Sequence, residues 1–362
     1  MLLNIQNTNI MNRANQLFEA IRQDNIKKVR KLLAPSWFGL RKAYGVNGNV
    51  GSGDLSPLIF ASSAGRTEIA KLLLDYGANV NYQDKSGYSA LMWAASNGYT
   101  QIVEMLINNG ADVNKQNRYG NNALILATRG NYTEIVSLLT LHHAEINVIS
   151  HLELLKGDTP LTIAVRNKNL EIVKMLISNG ADVTVKNNYE ETALKIAIKN
   201  RDIEIVKILI EAGVDLNKED SWGSDALQYA IDHIKDEYEN DDLELVKLLV
   251  MNGSNLNKQY KNGDYPVKLS LRKGHTKIAE WLVNNGAIID RKEREKIEME
   301  RKNEEDLLRL GYYCATCGCY KSEQEVVEEP YEQDEWITIY YLYCKYCGSK
   351  ITDKQGNWKI SR

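Results

Sequence analysis

Two five-residue stretches decide the fold: residues 77–81 read Gly-Ala-Asn-Val-Asn, and residues 110–114 read Gly-Ala-Asp-Val-Asn. Weaker copies of this anchor element begin at His143, Gly180, Gly213, Gly253 and Gly286. Two intervals are longer than the rest, namely those from His143 to Gly180 and from Gly213 to Gly253. The other intervals share a period of about 33 residues, and such a nearly constant period predicts a repeat protein.

Two further elements keep step with the anchor. One is Ser or Thr, then Pro or Ala, then Leu, and it begins at Ser56, Ser89, Thr159 and Thr192. Its first residue can cap a helix, and Pro in the first helical turn gives up no hydrogen bond. The other element, Glu-Ile-Val-Lys, begins at Glu171 and Glu204 and supplies an apolar helix face. Each unit is therefore predicted to hold two helices, the second of which ends at the anchor glycine.

Three elements that recur in phase with this period resemble the ankyrin repeat family, whose unit carries T-P-L-H-x-A and G-A-D-V-N. The resemblance covers residues 54–290 as seven units. It implies a mainly α solenoid of helix–turn–helix units with short β-hairpin fingers. Residues 1–53 are predicted to form an N-terminal helical cap repeat with a flexible glycine-rich insertion. His143 replaces the helix-ending glycine, and we expect it to adopt the left-handed conformation there.

The resemblance also implies a binding surface. In the family, partners dock on the concave side, which is made from the fingertips and the exposed face of each first helix. Aromatic and Arg side chains are the types that become interface anchors. The positions carried over to this chain are Tyr88, Trp93, Arg118, Tyr119, Arg129, Arg166, Tyr189, Lys199, Trp222 and Tyr229. For Trp93 and Tyr229, packing between neighbouring first helices is the alternative. The mixed charges of the set favour a folded protein as partner.

The composition changes after the last repeat. Residues 291–309 hold seven acidic and seven basic side chains. Oppositely charged pairs four positions apart, such as Arg291 and Glu295, suit a solvent-exposed helix. Residues 291–311 are therefore predicted to form a charged helical linker, which serves as a spacer or as an outer cap of the stack.

Residues 312–362 are predicted to form a module similar to a zinc ribbon. Two C-x-x-C-G knuckles supply Cys314, Cys317, Cys344 and Cys347, which suits one tetrahedral, structural Zn²⁺. Four thiolates leave no open position for a catalytic water. The β-prone run at residues 336–343 suits a ribbon of strands. The fifth cysteine, Cys319, fits the knuckle spacing poorly and is interpreted as a bystander.

Several function classes find no support in the sequence. No apolar run is long enough to cross a membrane and the N-terminus lacks the pattern of a signal peptide, so we expect an intracellular, cytoplasmic protein without a membrane partner. The net charge is −3, and residues 323–335 carry seven acidic and no basic side chains, which argues against nucleic acid. No nucleophile elbow, H-E-x-x-H or P-loop is present, so no enzyme is predicted.

The sequence thus predicts a non-catalytic scaffold or adaptor that recognises a partner protein through the concave face of its repeats. Two alternatives stay open. One is an inhibitor or immunity-type protein that occludes an enzyme or toxin. The other is a nucleic-acid-linked regulator that acts through the zinc ribbon.

Overall fold

The computed structural model describes nine parts of the chain, and they are residues 14–34, 46–48, 54–152, 157–234, 239–310, 313–314, 319–320, 326–334 and 337–344. The chain divides into two compact units, Met1–Ser254 and Asn255–Arg362.

The first compact unit, Met1–Ser254, is a series of helix pairs. Its helices are α1 (14–22), α2 (Ile26–Leu33), α3 (Pro57–Ser63), α4 (Thr67–Asp75), α5 (Ala90–Ser96), α6 (Thr100–Asn108), α7 (Ala123–Arg129), α8 (Thr133–Leu141), α9 (Pro160–Arg166), α10 (Leu170–Ser178), α11 (Ala193–Asn200), α12 (Ile203–Glu211), α13 (Ala226–Asp232) and α14 (Glu239–Met251). The mainly helical repeat fold is therefore confirmed.

The predicted helix boundaries follow from capping chemistry. Ser89 caps α5 by accepting a hydrogen bond from the Met92 N–H at 3.2 Å. Thr159 caps α9 in the same way. Gly110 ends the α6 turn with a φ of +82°, a conformation that costs little without a Cβ. His143 has a φ of +61° at the equivalent position, which confirms the prediction that it replaces the glycine.

The core lies between successive helix pairs. Each first helix packs against the first helix of the next unit, from α3 through α5, α7, α9 and α11 to α13. The second helices contribute a buried stripe, and in α6 this stripe is Ile102, Val103 and Leu106, all fully buried. Burying a side chain of this size contributes about 1.5–3 kcal/mol. A single repeat has no neighbouring helix pair to pack against, so the stack is stabilised by the contacts between neighbouring repeats.

Asparagine side chains at the last anchor position join each unit to the next, and we call each such side chain a rung. In the rung of Asn81, Nδ2 donates to the Gly110 carbonyl at 3.0 Å and Oδ1 accepts from the Asp112 N–H at 2.8 Å. The same pair of bonds is made by Asn47, Asn114, Asn147 and Asn257. Asn217 donates to the Gly253 carbonyl at 2.9 Å.

The rung of Asn47 lies in the glycine-rich segment after the N-terminal cap. Its Oδ1 accepts from the Asn79 N–H at 2.7 Å, and the neighbouring Val46 is buried. Residues 46–48 of the glycine-rich segment therefore contact the first anchor. The dipeptide Val46-Asn47 repeats the end of the anchor element and would have signalled this contact.

The fingers are tight turns that bond side by side. Within one finger the Asp84 N–H donates to the Tyr88 carbonyl at 2.9 Å, and the Arg118 N–H donates across to the Ser86 carbonyl at 3.0 Å. An isolated β-bridge joins Gln83 to Ser89, and Leu55 in the preceding finger also lies in a bridge. The predicted β-hairpins are therefore tight turns with isolated bridges and contain no regular strands in the described fingers.

The second unit begins with helices and ends with strands. Its elements are α15 (Pro266–Lys273), α16 (Thr276–Asn284), α17 (Arg291–Leu310), β1 (Tyr313–Cys314), β2 (Cys319–Tyr320), β3 (Val326–Asp334) and β4 (Ile337–Cys344). The strands pair antiparallel as β1-β2 and β3-β4. The register of β3 shifts between Pro330 and Glu332, where proline cannot donate to the ladder.

The charged segment after the repeats forms the helix α17. Arg291 Nε pairs with Glu295 Oε1 at 2.8 Å. Lys296 Nζ donates to the Leu271 carbonyl at 2.9 Å, and Ile297 is buried. The bond from Lys296 thus joins α17 to α15. In the described part of the chain, no helix is both long and apolar enough to cross a membrane.

Candidate partner-binding surface

Three aromatic side chains stand at equivalent fingertip positions. In each finger, an Asn or Asp side-chain oxygen accepts the backbone N–H of the aromatic residue two positions later, at 2.9 Å. The three pairs are Asn117 with Tyr119, Asn187 with Tyr189, and Asp220 with Trp222. The aromatic residues are 42%, 60% and 65% exposed, respectively. One turn geometry thus presents three large rings to solvent without fixing them in the core.

Tyr88 and Trp93 are half-buried and contact each other. Their ring centroids lie 4.9 Å apart with the planes tilted by 32°, and Trp93 Nε1 donates to Asp84 Oδ2 at 3.2 Å. Burial raises the pKa of the Tyr88 hydroxyl, while the charge of Arg129 acts in the opposite direction. These two side chains therefore stabilise their own unit and expose only part of their surface.

The predicted cations Arg129, Arg166 and Lys199 occupy corresponding positions near the ends of α7, α9 and α11. Arg166 lies 3.2 Å from Asp158 and 3.4 Å from Glu191. Lys199 lies 3.1 Å from Glu191. Burial works against ionisation of Glu191, yet the hydrogen bonds of Lys199 and Asn187 outweigh it and lower the pKa of this carboxyl. The carboxylates lie beneath the cations, so the positive groups face solvent.

Arg129 differs from the other two cations. Within the described ranges it forms no ion pair, because its unit carries Asn121 at the position where the next two units carry Asp158 and Glu191. Arg129 and the neighbouring fingertip residue Arg118 are both exposed. The surface around α7 therefore holds positive charge that no carboxylate of the described chain neutralises.

Tyr229 lies beside a buried ion pair that the sequence pattern did not predict. Lys195 pairs with Asp220, and the two side chains are 9% and 3% exposed. Lys195 Nζ also lies 5.2 Å from the centre of the Tyr229 ring, which stacks on His233. Burial raises the pKa of Tyr229, with Glu191 and Asp220 acting in the same direction. Tyr229 thus packs between the neighbouring first helices α11 and α13, and it is half-exposed.

The predicted metal ligands are described only in part. Cys317 and Cys347 lie outside the described residues. Cys314 is the last residue of β1 and Cys344 is the last residue of β4, and the pairing of β1 with β2 sets Cys314 opposite Cys319. Among the described residues, no group of three possible ligands surrounds a metal position.

The fold and the surface define a class of protein: a helical repeat stack that presents one fingertip and one helix face from each unit. A family model described as three copies of the ankyrin repeat matches residues 17–117, 58–150, 113–187 and 184–239. A second model, described as many copies of the ankyrin repeat, matches residues 238–283. The chain belongs to the ankyrin repeat family. A search of curated proteins gave no match. Ankyrin repeats imply a scaffold for protein–protein interaction, and proteins of this family are generally non-catalytic.

Proposed function

We propose that this protein is a non-catalytic scaffold that binds a partner protein through its fingertips and the exposed ends of its first helices. The observation that supports this proposal most is the row of aromatic fingertips, Tyr119, Tyr189 and Trp222, each held by the same side-chain turn. The turn preorganises the backbone of each aromatic residue, which therefore loses little freedom on binding, and Tyr and Trp are common anchors of interfaces.

The cations define the chemistry of the partner. Arg118 and Arg129 are exposed, whereas Arg166 and Lys199 are already paired with the carboxylates of Asp158 and Glu191. An apolar patch on the partner with acidic groups at one side would cover the rings and meet the unneutralised arginines. Charge pairs at the rim of an interface mainly set the association rate and the choice of partner.

The proposal is tested by affinity capture from nuclease-treated lysate, followed by mass spectrometry. The test variant replaces Tyr119, Tyr189 and Trp222 by alanine. The matched control makes the same alanine replacement at Leu141 and Met251. These residues end α8 and α14 and are 72% and 73% exposed. We expect the control to retain a protein that the test variant loses, at unchanged circular dichroism. Equal capture by both variants would refute the proposal, and the identity of the captured protein separates an adaptor from an inhibitor.

We also propose that the four cysteines Cys314, Cys317, Cys344 and Cys347 hold one structural Zn²⁺. The supporting observation is that Cys314 and Cys344, the first residues of the two C-x-x-C motifs, each end a strand. Zinc would stabilise a module of this size by linking two strand ends, since its small core is marginal alone. We expect one zinc per chain by elemental analysis, also after Cys319→Ser, and less than half of that after Cys344→Ser. A zinc content near zero in the wild type would refute the proposal.

A further inference from the structure

One junction of the stack lacks the asparagine rung. The anchor that begins at Gly180 ends in Thr184, whereas the other anchors from Gly77 to Gly253 end in Asn. Thr184 bonds within its own turn: its hydroxyl donates to Asp182 Oδ1 at 2.7 Å and its N–H donates to the same oxygen at 2.8 Å. Among the described residues, no hydrogen bond joins Thr184 to the following anchor at Gly213.

The backbone of the anchor at Gly213 nevertheless has the same conformation as that of the anchor at Gly110. Gly213 has a φ of +84°, against +82° for Gly110. The N–H of each glycine donates at 2.9 Å to the carbonyl three positions earlier. The Asn217 N–H donates to Asp215 Oδ1 at 2.9 Å, which repeats the bond from Asn114 to Asp112. The Gly213 carbonyl and the Asp215 N–H are therefore held ready for a carboxamide, and neither has a partner in the described part of the chain.

A cavity of about 380 Å³ lies at this junction. Val183, Thr184, Gly213, Val214 and Asp215 line it, so the residues that carry both backbone groups border the cavity. This volume is many times the roughly 30 Å³ that one water occupies, and it leaves room for a side chain. None of the candidate partner-binding residues lines the cavity, which is a separate feature of the stack.

The two backbone groups favour a neutral guest. Three lysines and three carboxylates line the cavity: Lys186, Lys195, Lys218, Asp215, Glu219 and Asp220. Lys195 pairs with Asp220, and Lys186 pairs with Glu190, which lies outside the lining. A carboxylate cannot donate to the Gly213 carbonyl, and an ammonium group cannot accept from the Asp215 N–H. A carboxamide matches instead, because it donates and accepts at once, as five asparagine rungs of this chain do.

We propose that this cavity binds the uncharged carboxamide of a Gln or Asn side chain on a partner protein, with the amide donating to the Gly213 carbonyl and accepting from the Asp215 N–H. The partner thereby completes the ladder of rungs at the one junction, within the described chain, where no side chain supplies one. The inference rests on the proposed function only in that the carboxamide belongs to a protein.

The site is tested on the full chain with small probes. Propionamide, which carries the carboxamide, is titrated into ¹⁵N-labelled protein and the Asp215 amide resonance is followed by NMR. Propionate, which has similar size but a charge and no N–H, is the matched probe. We expect propionamide to cause a saturable change in the chemical shift of the Asp215 amide. At the same concentration, propionate should cause a change at least tenfold smaller. Equal responses to the two probes would overturn the proposal.

Two variants complete the test. Thr184→Asn supplies the rung from within the chain, so we expect the propionamide response to disappear and the melting temperature to rise. Thr184→Ser keeps a short hydroxyl and should retain the response, with amide resonances outside the junction unchanged in both variants. A Thr184→Asn protein that is folded and still responds like the wild type would contradict the proposal. The triple fingertip variant should respond fully, which separates failure of this site from failure of the proposed function.

Discussion

Lys195 and Asp220 join α11 to the finger that carries Trp222, and replacing Lys195 by Met shows how strongly this buried pair stabilises the finger. Removing one partner of a buried pair costs about 3–5 kcal/mol, because the other charge is left unpaired. Asp220 Oδ1 keeps two backbone N–H bonds at 2.9 Å, to Trp222 and Ser224, which offset part of the loss. We therefore expect a cost of about 2–3 kcal/mol, or a fall in melting temperature of roughly 4–12 °C.

The matched control is Lys199→Met on the same helix. Lys199 also pairs with a carboxylate, that of Glu191, but its side chain is 55% exposed. Exposed pairs contribute about 0.2–1 kcal/mol. Thermal and urea unfolding, followed by circular dichroism, measure both variants, and Asp220→Asn completes a double-mutant cycle with Lys195→Met. If Lys195→Met costs no more than Lys199→Met, or if the cycle shows no coupling, the account of the buried pair is refuted.

Three further predictions follow from local geometry. Asn81→Ala removes two cross-unit bonds, including the one to Gly110, and should cost about 1–3 kcal/mol in urea unfolding; a cost near zero would mean that water replaces the rung. His143→Gly relieves a left-handed φ and should raise stability by up to about 1 kcal/mol; a lower melting temperature would contradict this. Burial opposes ionisation of Glu191, but Lys199 and its other partners lower the pKa of the carboxyl below its ordinary 4.5. Its contribution is therefore complete above that pH and is lost as the pH falls through the lowered value, so the difference in stability between wild type and Glu191→Gln should shrink in acid unfolding curves.

The repeat architecture could be predicted because its determinants are local. Capping residues such as Ser89 and Thr159 and helix-ending residues such as Gly110 and His143 act within one unit, and they recur in phase. The fingertip positions followed from the same register. Tyr119 lies where the repeat pattern placed it, because the turn of Asn117 fixes its backbone.

Contacts between units could not be predicted from local pattern. Lys195 and Asp220 are far apart in sequence, and their pairing depends on how a finger folds over the preceding first helix. The role of Asn47 could not be predicted, because the sequence around it matches only the last two residues of the anchor element. The consequence of Thr184 was also missed, since the duty of Asn at that position becomes visible only when the other rungs are seen to bridge neighbouring units.

The central claim is that the fingertips contact a protein partner, and site-specific photo-crosslinking tests it most directly. A photoreactive phenylalanine is introduced in cells at Tyr189, which is 60% exposed at a fingertip, and in a second protein at Leu141, which is 72% exposed at the end of α8. We predict a discrete crosslinked protein from position 189 and none from position 141. Crosslinks of equal yield at both positions, or only at position 141, would contradict the account.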